Sequence, residues 1–115
     1  MIGRTGRLAE KQTARRLAAR VRPASGAMPG LKGDMVAGEF LIEAKSTTAH
    51  SMGLKRDWLA KIAAEAENQG LTPALAVAFT DKLGKPVRYG AWIAVPESVF
   101  EDMQRALAGL TERIR

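Results

Sequence analysis

The sequence has no cysteine and a single histidine, His50. No disulfide can staple the fold, and sites built on several Cys or His ligands are excluded. A chain without cysteine also suits a reducing compartment. No apolar run approaches the ~20 residues that a membrane-spanning helix requires. The first residues are basic but carry no apolar segment of the signal-peptide kind. These absences lead to the expectation of a cytoplasmic protein with no membrane partner. Acid is scarce at one end of the chain. Residues 1–32 hold eight basic residues and one acidic residue, Glu10, whereas residues 33–115 hold ten basic and eleven acidic ones. The formal charge of +6 is therefore +7 in the first third and −1 in the rest. A charge gradient of this kind suits a polyanion, most often nucleic acid.

At 115 residues the chain makes one domain, 1–115. Folding at this length buries roughly two-thirds of the unfolded surface, enough for a core without staples. Residues 6–22 (GRLAEKQTARRLAARVR) read as a helix ended by Pro23. Ala14, Leu17 and Val21 form its inward stripe, and one turn back that stripe meets Glu10. Residues 23–33 (PASGAMPGLKG) read as a short strand and turns. DMVAG and FLIEAKST follow as strands of an antiparallel hairpin turning at 37–39. Residues 51–69 read as a second helix, N-capped by Ser51 and stopped by Gly70. The apolar run 72–80 reads as a central strand, 87–95 as another, and a last helix starts at Glu97. The order α-β-β-β-α-β-β-α implies an α/β (α+β) fold, a small mixed sheet flanked by helices.

One strand raises a question of cost. In FLIEAKST, residues two apart share a face, so Glu43 and Lys45 project side by side in the row of Leu41. Phe40, Ile42 and Ala44 form the other row. Desolvating a carboxylate and an ammonium is costly unless they are paired or used. An exposed same-face ion pair on an edge strand would be one answer, of little energetic value. A site would be the other. Asp34 opens the preceding strand and Glu10 points inward from the first helix, so three carboxylates and a lysine can converge at one end of the sheet. Oxygen ligands of this kind suit Mg²⁺, or equally Mn²⁺, and the set suits phosphodiester hydrolysis. Taken alone, Glu10 reads as an acid favoured by the helix dipole near the first turns.

The helix bearing an inward Glu, the segment RPASGAMPGLKGD and the strand FLIEAKST together resemble the PD-(D/E)xK nuclease superfamily. Within it they resemble archaeal-type and phage Holliday junction resolvases, over residues 4 to about 80. Gly33 stands where a proline usually precedes the aspartate, and the chain is short for that family. The resemblance implies a restriction-endonuclease-like core and a Mg²⁺-dependent endodeoxyribonuclease. It implies that Asp34, Glu43 and the carbonyl of Ala44 bind metal and that Lys45 acts on the attacking water. Glu10 would serve a second metal or a water in its shell, which turns the reading of that residue toward function. Ser25 would contact the scissile phosphate. The resemblance also implies branched DNA as partner and a homodimer. Arg4, Arg7, Lys11, Arg15, Arg22 and Lys32 are candidate phosphate contacts. Two alternatives share these residues: a nuclease of the same fold acting on duplex, flaps or nicks, and a basic DNA-binding module without catalysis. Trp58 and Trp92 are expected in the core, and His50 is expected to be incidental. The last helix reads as a dimer face or as ordinary core.

Overall fold

The structure, a computed structural model, describes residues 4–21 and 35–114. Helix α1 spans Arg4–Arg16. Strands β1 (Arg20–Val21), β2 (Met35–Ala37) and β3 (Phe40–Thr47) follow. Helix α2 is Arg56–Gln69, β4 is Thr72–Thr80, β5 is Pro86–Ala94 and α3 is Glu97–Ile114. The five strands form one sheet in the order β1-β2-β3-β4-β5. Only β3 and β4 run parallel, and the crossover between them is α2. The other neighbours are antiparallel. The fold is therefore α+β with a mixed sheet, in the element order expected from the sequence.

Side-chain alternation along β3 divides the core into two layers. Ile42 and Ala44, with Met35, Ala74 and Ala76, pack under Ala14 of α1. Leu41, on the other face, packs against Ile62 and Ala66 of α2. Leu41, Met35 and Leu75 are fully buried. The β2–β3 hairpin turns on Gly38 and Glu39, with Ala37 opposite Phe40. Gly38 has φ +58°, and a two-residue loop with positive φ at its first position calls for glycine.

Helix α1 ends at Arg16, six residues before the expected end at residue 22. Ala18 takes a left-handed φ of 52°, and Arg20–Val21 pairs with Val36 and Met35 instead of continuing the helix. Local helix propensity in this Ala- and Arg-rich stretch yields to strand pairing. The first strand thus lies at 20–21, and the strand expected within 23–33 lies outside the described residues. Helix α2 also starts late. Lys55 is its N-cap, without a side-chain cap bond, and Ser51 precedes the helix by five residues. Its far end is as expected: Gly70 is left-handed, and backbone N–H groups there bond to Glu67 and Ala66 carbonyls.

The turn between β4 and β5 anchors α1. Asp81 Oδ1 accepts from the backbone N–H groups of Leu83 (2.9 Å) and Lys85 (3.0 Å). Thr5 Oγ1 donates to the Lys82 carbonyl at 3.2 Å. Gly84, buried with φ +81°, lies so close to the α1 backbone that a β-carbon would sit 2.5 Å from Ala9 N.

Candidate active site

β3 is the middle strand of the sheet, and its last five residues carry the polar centre. Glu43 and Lys45 share the face of Leu41, the face covered by α2. Glu43 is buried, only 8% exposed. Lys45 Nζ lies 3.5 Å from Glu43 Oε1 and 4.6 Å from the centroid of the Trp58 ring on α2. Lys55 Nζ stands 5.7 Å from the same ring. Trp58 is half-buried and works as a cation platform beside the acid, not as a core residue alone. Its place in the apolar row of α2 hid that role, since contact with Lys45 depends on the tertiary fold. Lys55, three residues before it, was the one local signal.

The electrostatics explain why this pair is unusual. A strong ammonium–carboxylate hydrogen bond has a length of about 2.7–2.9 Å. At 3.5 Å the Lys45–Glu43 contact is a loose ion pair. The aromatic face attracts the ammonium but gives its N–H groups no oxygen acceptor. Among the described residues Lys45 therefore keeps N–H donors for another acceptor, and Glu43 keeps lone pairs for another cation. A pair selected for stability alone would gain more from two apolar residues in these places.

The flank of this centre is open among the described residues. β2 pairs with β3 only over Phe40–Ile42, so Glu43–Thr47 has a strand partner on the β4 side alone. Asp34 itself lies outside the described residues. In sequence it adjoins Met35, whose pairing partner Ile42 adjoins Glu43.

Glu10 is half-buried on the sheet-facing side of α1, in the row of Ala14 and Leu17. That helix covers the Ile42–Ala44 face, opposite the side chains of Glu43 and Lys45. The structure thus brings Glu43 and Lys45 together and holds Glu10 on the other layer. Among the described residues no group of three or more Asp, Glu, His or Cys forms a metal cluster. Ala44 is buried between Glu43 and Lys45. Ser25, Arg22 and Lys32 lie outside the described residues. Arg7, Lys11 and Arg15 are exposed along α1, and Arg4 opens that helix. His50 is exposed in the loop after β3. Trp92 is 63% exposed on the edge strand β5, so it is not a core residue. No helix among the described residues is long and apolar enough to cross a membrane. Compared with family models, curated proteins and solved structures, the chain matches none, so its function is argued from this chemistry.

Proposed function

We propose that the chain is a Mg²⁺-dependent endodeoxyribonuclease acting on branched DNA, a Holliday junction resolvase of the phage or prophage type. The observation that carries the reading is the buried Glu43 with its loosely held lysine, on the half of a central strand whose β2 side is open among the described residues. The basic first third of the chain, with Arg7, Lys11 and Arg15 exposed, supplies the phosphate-binding side.

The donor chemistry fits a hard divalent cation. Mg²⁺ takes one or two carboxylates and fills its remaining positions with waters and substrate phosphate. Glu43 offers such a carboxylate, with Asp34 and the Ala44 carbonyl as the partners that the sequence resemblance implies; Glu10, on the opposite layer, is left out of this set. When bound, Mg²⁺ or Mn²⁺ supplies charge stabilisation to the phosphate and makes a nucleophile of water near neutral pH. Lys45 donates its free N–H groups to the attacking water or to the phosphate oxygens on which charge develops. Trp58, on α2, holds the ammonium beside Glu43. Water attacks phosphorus directly, the P–O bond to the leaving oxygen breaks, and no covalent enzyme intermediate forms.

The test is cleavage of an end-labelled four-way junction in competition with its component duplex, with Mg²⁺ and with chelator. Paired metal-dependent nicks near the branch point, with duplex spared, are the expected result. Equal cutting of both would replace the resolvase with a general nuclease of the same fold. Salt-dependent binding without cutting in either metal would refute the enzyme and leave a DNA-binding module.

A further inference from the structure

The edge strand β5 is interrupted where it carries its most exposed aromatic residues. Pro86 pairs with Thr80 and Ala91 with Ala78, so four residues of β5, 87–90, stand opposite the single residue Phe79 of β4. That segment bulges out of the ladder, and bulges at sheet edges re-aim side chains. Gly90 closes the bulge: it is buried, and a β-carbon there would collide with the Phe79 carbonyl oxygen. Tyr89, just before it, has a left-handed φ of 59°. That conformation is uncommon for a bulky aromatic, and glycine or asparagine adopts it more readily.

Three flat groups gather at this bulge. Tyr89 is 77% exposed and Trp92 is 63% exposed. The Arg88 guanidinium lies 4.9 Å from the centroid of the Tyr89 ring and donates to the Tyr89 hydroxyl at 3.0 Å. Trp92 Nε1 donates to the Tyr89 carbonyl at 2.6 Å, so the one polar group of the indole is bonded inside the cluster. The cluster offers ring surface beside a cation. Its surroundings are basic, since residues 82–96 hold Lys82, Lys85 and Arg88 and no acidic residue. Oδ1 of Asp81, just before them, is engaged by the backbone N–H groups of Leu83 and Lys85. Thr5 of the basic helix α1 bonds to the same turn at Lys82. Trp92 also shares a row of the sheet with the candidate site: it pairs with Val77, which pairs with Lys45, and register partners project from the same face. Two strand spacings, about 10 Å, separate the two strands.

We propose that Arg88, Tyr89 and Trp92 form a stacking site for an unpaired base of single-stranded DNA. Exposed aromatic rings beside a basic track bind single strands without reading sequence, because every base has a π face. An unpaired base brings that face to Tyr89 or Trp92, whereas a duplex keeps its bases stacked on one another. Arg88 adds a planar cation that stacks on a base or pairs with a phosphate. Lys82 and Lys85 extend the positive charge along the turn that seats α1. Phosphate attraction alone would be served by the lysines; the strained, exposed tyrosine adds what a stacked base requires. The row shared with Lys45 lets one strand cross β3–β5, with its unpaired base at the sheet edge and its backbone toward Glu43 and Lys45. The substrate class is then a DNA branch with an unpaired strand beside the scissile phosphate. That last step rests on the nuclease reading, and base stacking at β5 does not.

The test is fluorescence anisotropy with the full chain and two labelled probes in the same salt: an oligothymidine of about 12 nucleotides and a duplex with no unpaired base. Tyr89→Asn removes the ring and suits the left-handed backbone, and Trp92→Leu removes the indole from an exposed position. Circular dichroism should show both variants folded. Each should weaken oligothymidine binding about fivefold or more and leave duplex binding, which rests on phosphate contacts, nearly unchanged. Unchanged oligothymidine affinity in both variants would overturn the inference. So would a parent that binds no oligothymidine at low salt, or an equal loss on both probes, which would make the surface a general phosphate contact. Metal-dependent junction cleavage is followed in parallel. A parent that cuts nothing removes the nuclease, and selective loss of oligothymidine binding in the two variants then still upholds the stacking site.

Discussion

Replacing Gly84 with alanine tests how α1 is held against the sheet. Two costs are separable. Gly84 has φ +81°, and a β-carbon in left-handed backbone costs about 1–2 kcal/mol. The new β-carbon would also meet backbone: Ala9 N at 2.5 Å, Leu8 C at 2.8 Å, and the Leu8 β-carbon at 2.8 Å. Backbone cannot rotate aside, so the first turns of α1 must move, at an overpacking cost of about 1–3 kcal/mol. The two together give about 2–5 kcal/mol. For a domain of this size that corresponds to a fall in Tm of about 10 °C or more. Gly38→Ala is the control. Its φ is also positive, +58°, yet a β-carbon there meets nothing within 4 Å. It should lose only the conformational part, about 1–2 kcal/mol. Thermal unfolding followed by circular dichroism measures both. If Gly84→Ala unfolds within 2 °C of Gly38→Ala, α1 is not seated on the β4–β5 turn and the position assigned to Glu10 is wrong.

Three further outcomes follow from the same structure. If Lys45 has the role proposed for it, Lys45→Ala should lower single-turnover cleavage of a four-way junction by about 10²-fold or more while changing junction affinity only a few-fold. The triple variant Arg7→Ala, Lys11→Ala, Arg15→Ala should bind all DNA more weakly. Its plot of log K against log salt should be shallower by about one unit for each phosphate that α1 no longer neutralises, and an unchanged slope would remove α1 from the interface. Leu41→Ala should cost about 2–5 kcal/mol in denaturant unfolding, since Leu41 is fully buried between β3 and α2; a cost below 1 kcal/mol would contradict the two-layer core.

Alternation and turn chemistry made the middle of the sheet legible. Alternation in FLIEAKST placed Glu43 beside Lys45 and Ile42 beside Ala44 on opposite faces, and the structure has them so. Gly38 and Gly70 marked a hairpin and a helix end because both positions need left-handed backbone. What could not be read depends on distant partners. Ala14, Leu17 and Val21 fit one helix face, but Val21 is claimed by strand pairing with Met35. Trp92 looked like core because it is large and apolar, yet β5 is an edge and Trp92 is 63% exposed there. The apolar spacing of α3 was visible, whereas the lack of an extensively packed neighbour among the described residues was not. For the site, period two was enough to pair Glu43 with Lys45. The contact of Lys45 with Trp58 required α2 to cross that face.

The proposed nuclease needs Glu43 for chemistry and not for stability, and one substitution separates the two. Glu43→Gln keeps the shape of the side chain and removes its charge. Unfolding free energy and junction cleavage with Mg²⁺ are measured on the same preparation. Stability should change little, since the remaining Lys45 is partly exposed and keeps its contact with the Trp58 ring, and metal-dependent cleavage should be lost. Full cleavage by the Glu43→Gln protein, or a stability loss of about 3 kcal/mol or more with no cleavage by the parent, would show that Glu43 serves the fold instead.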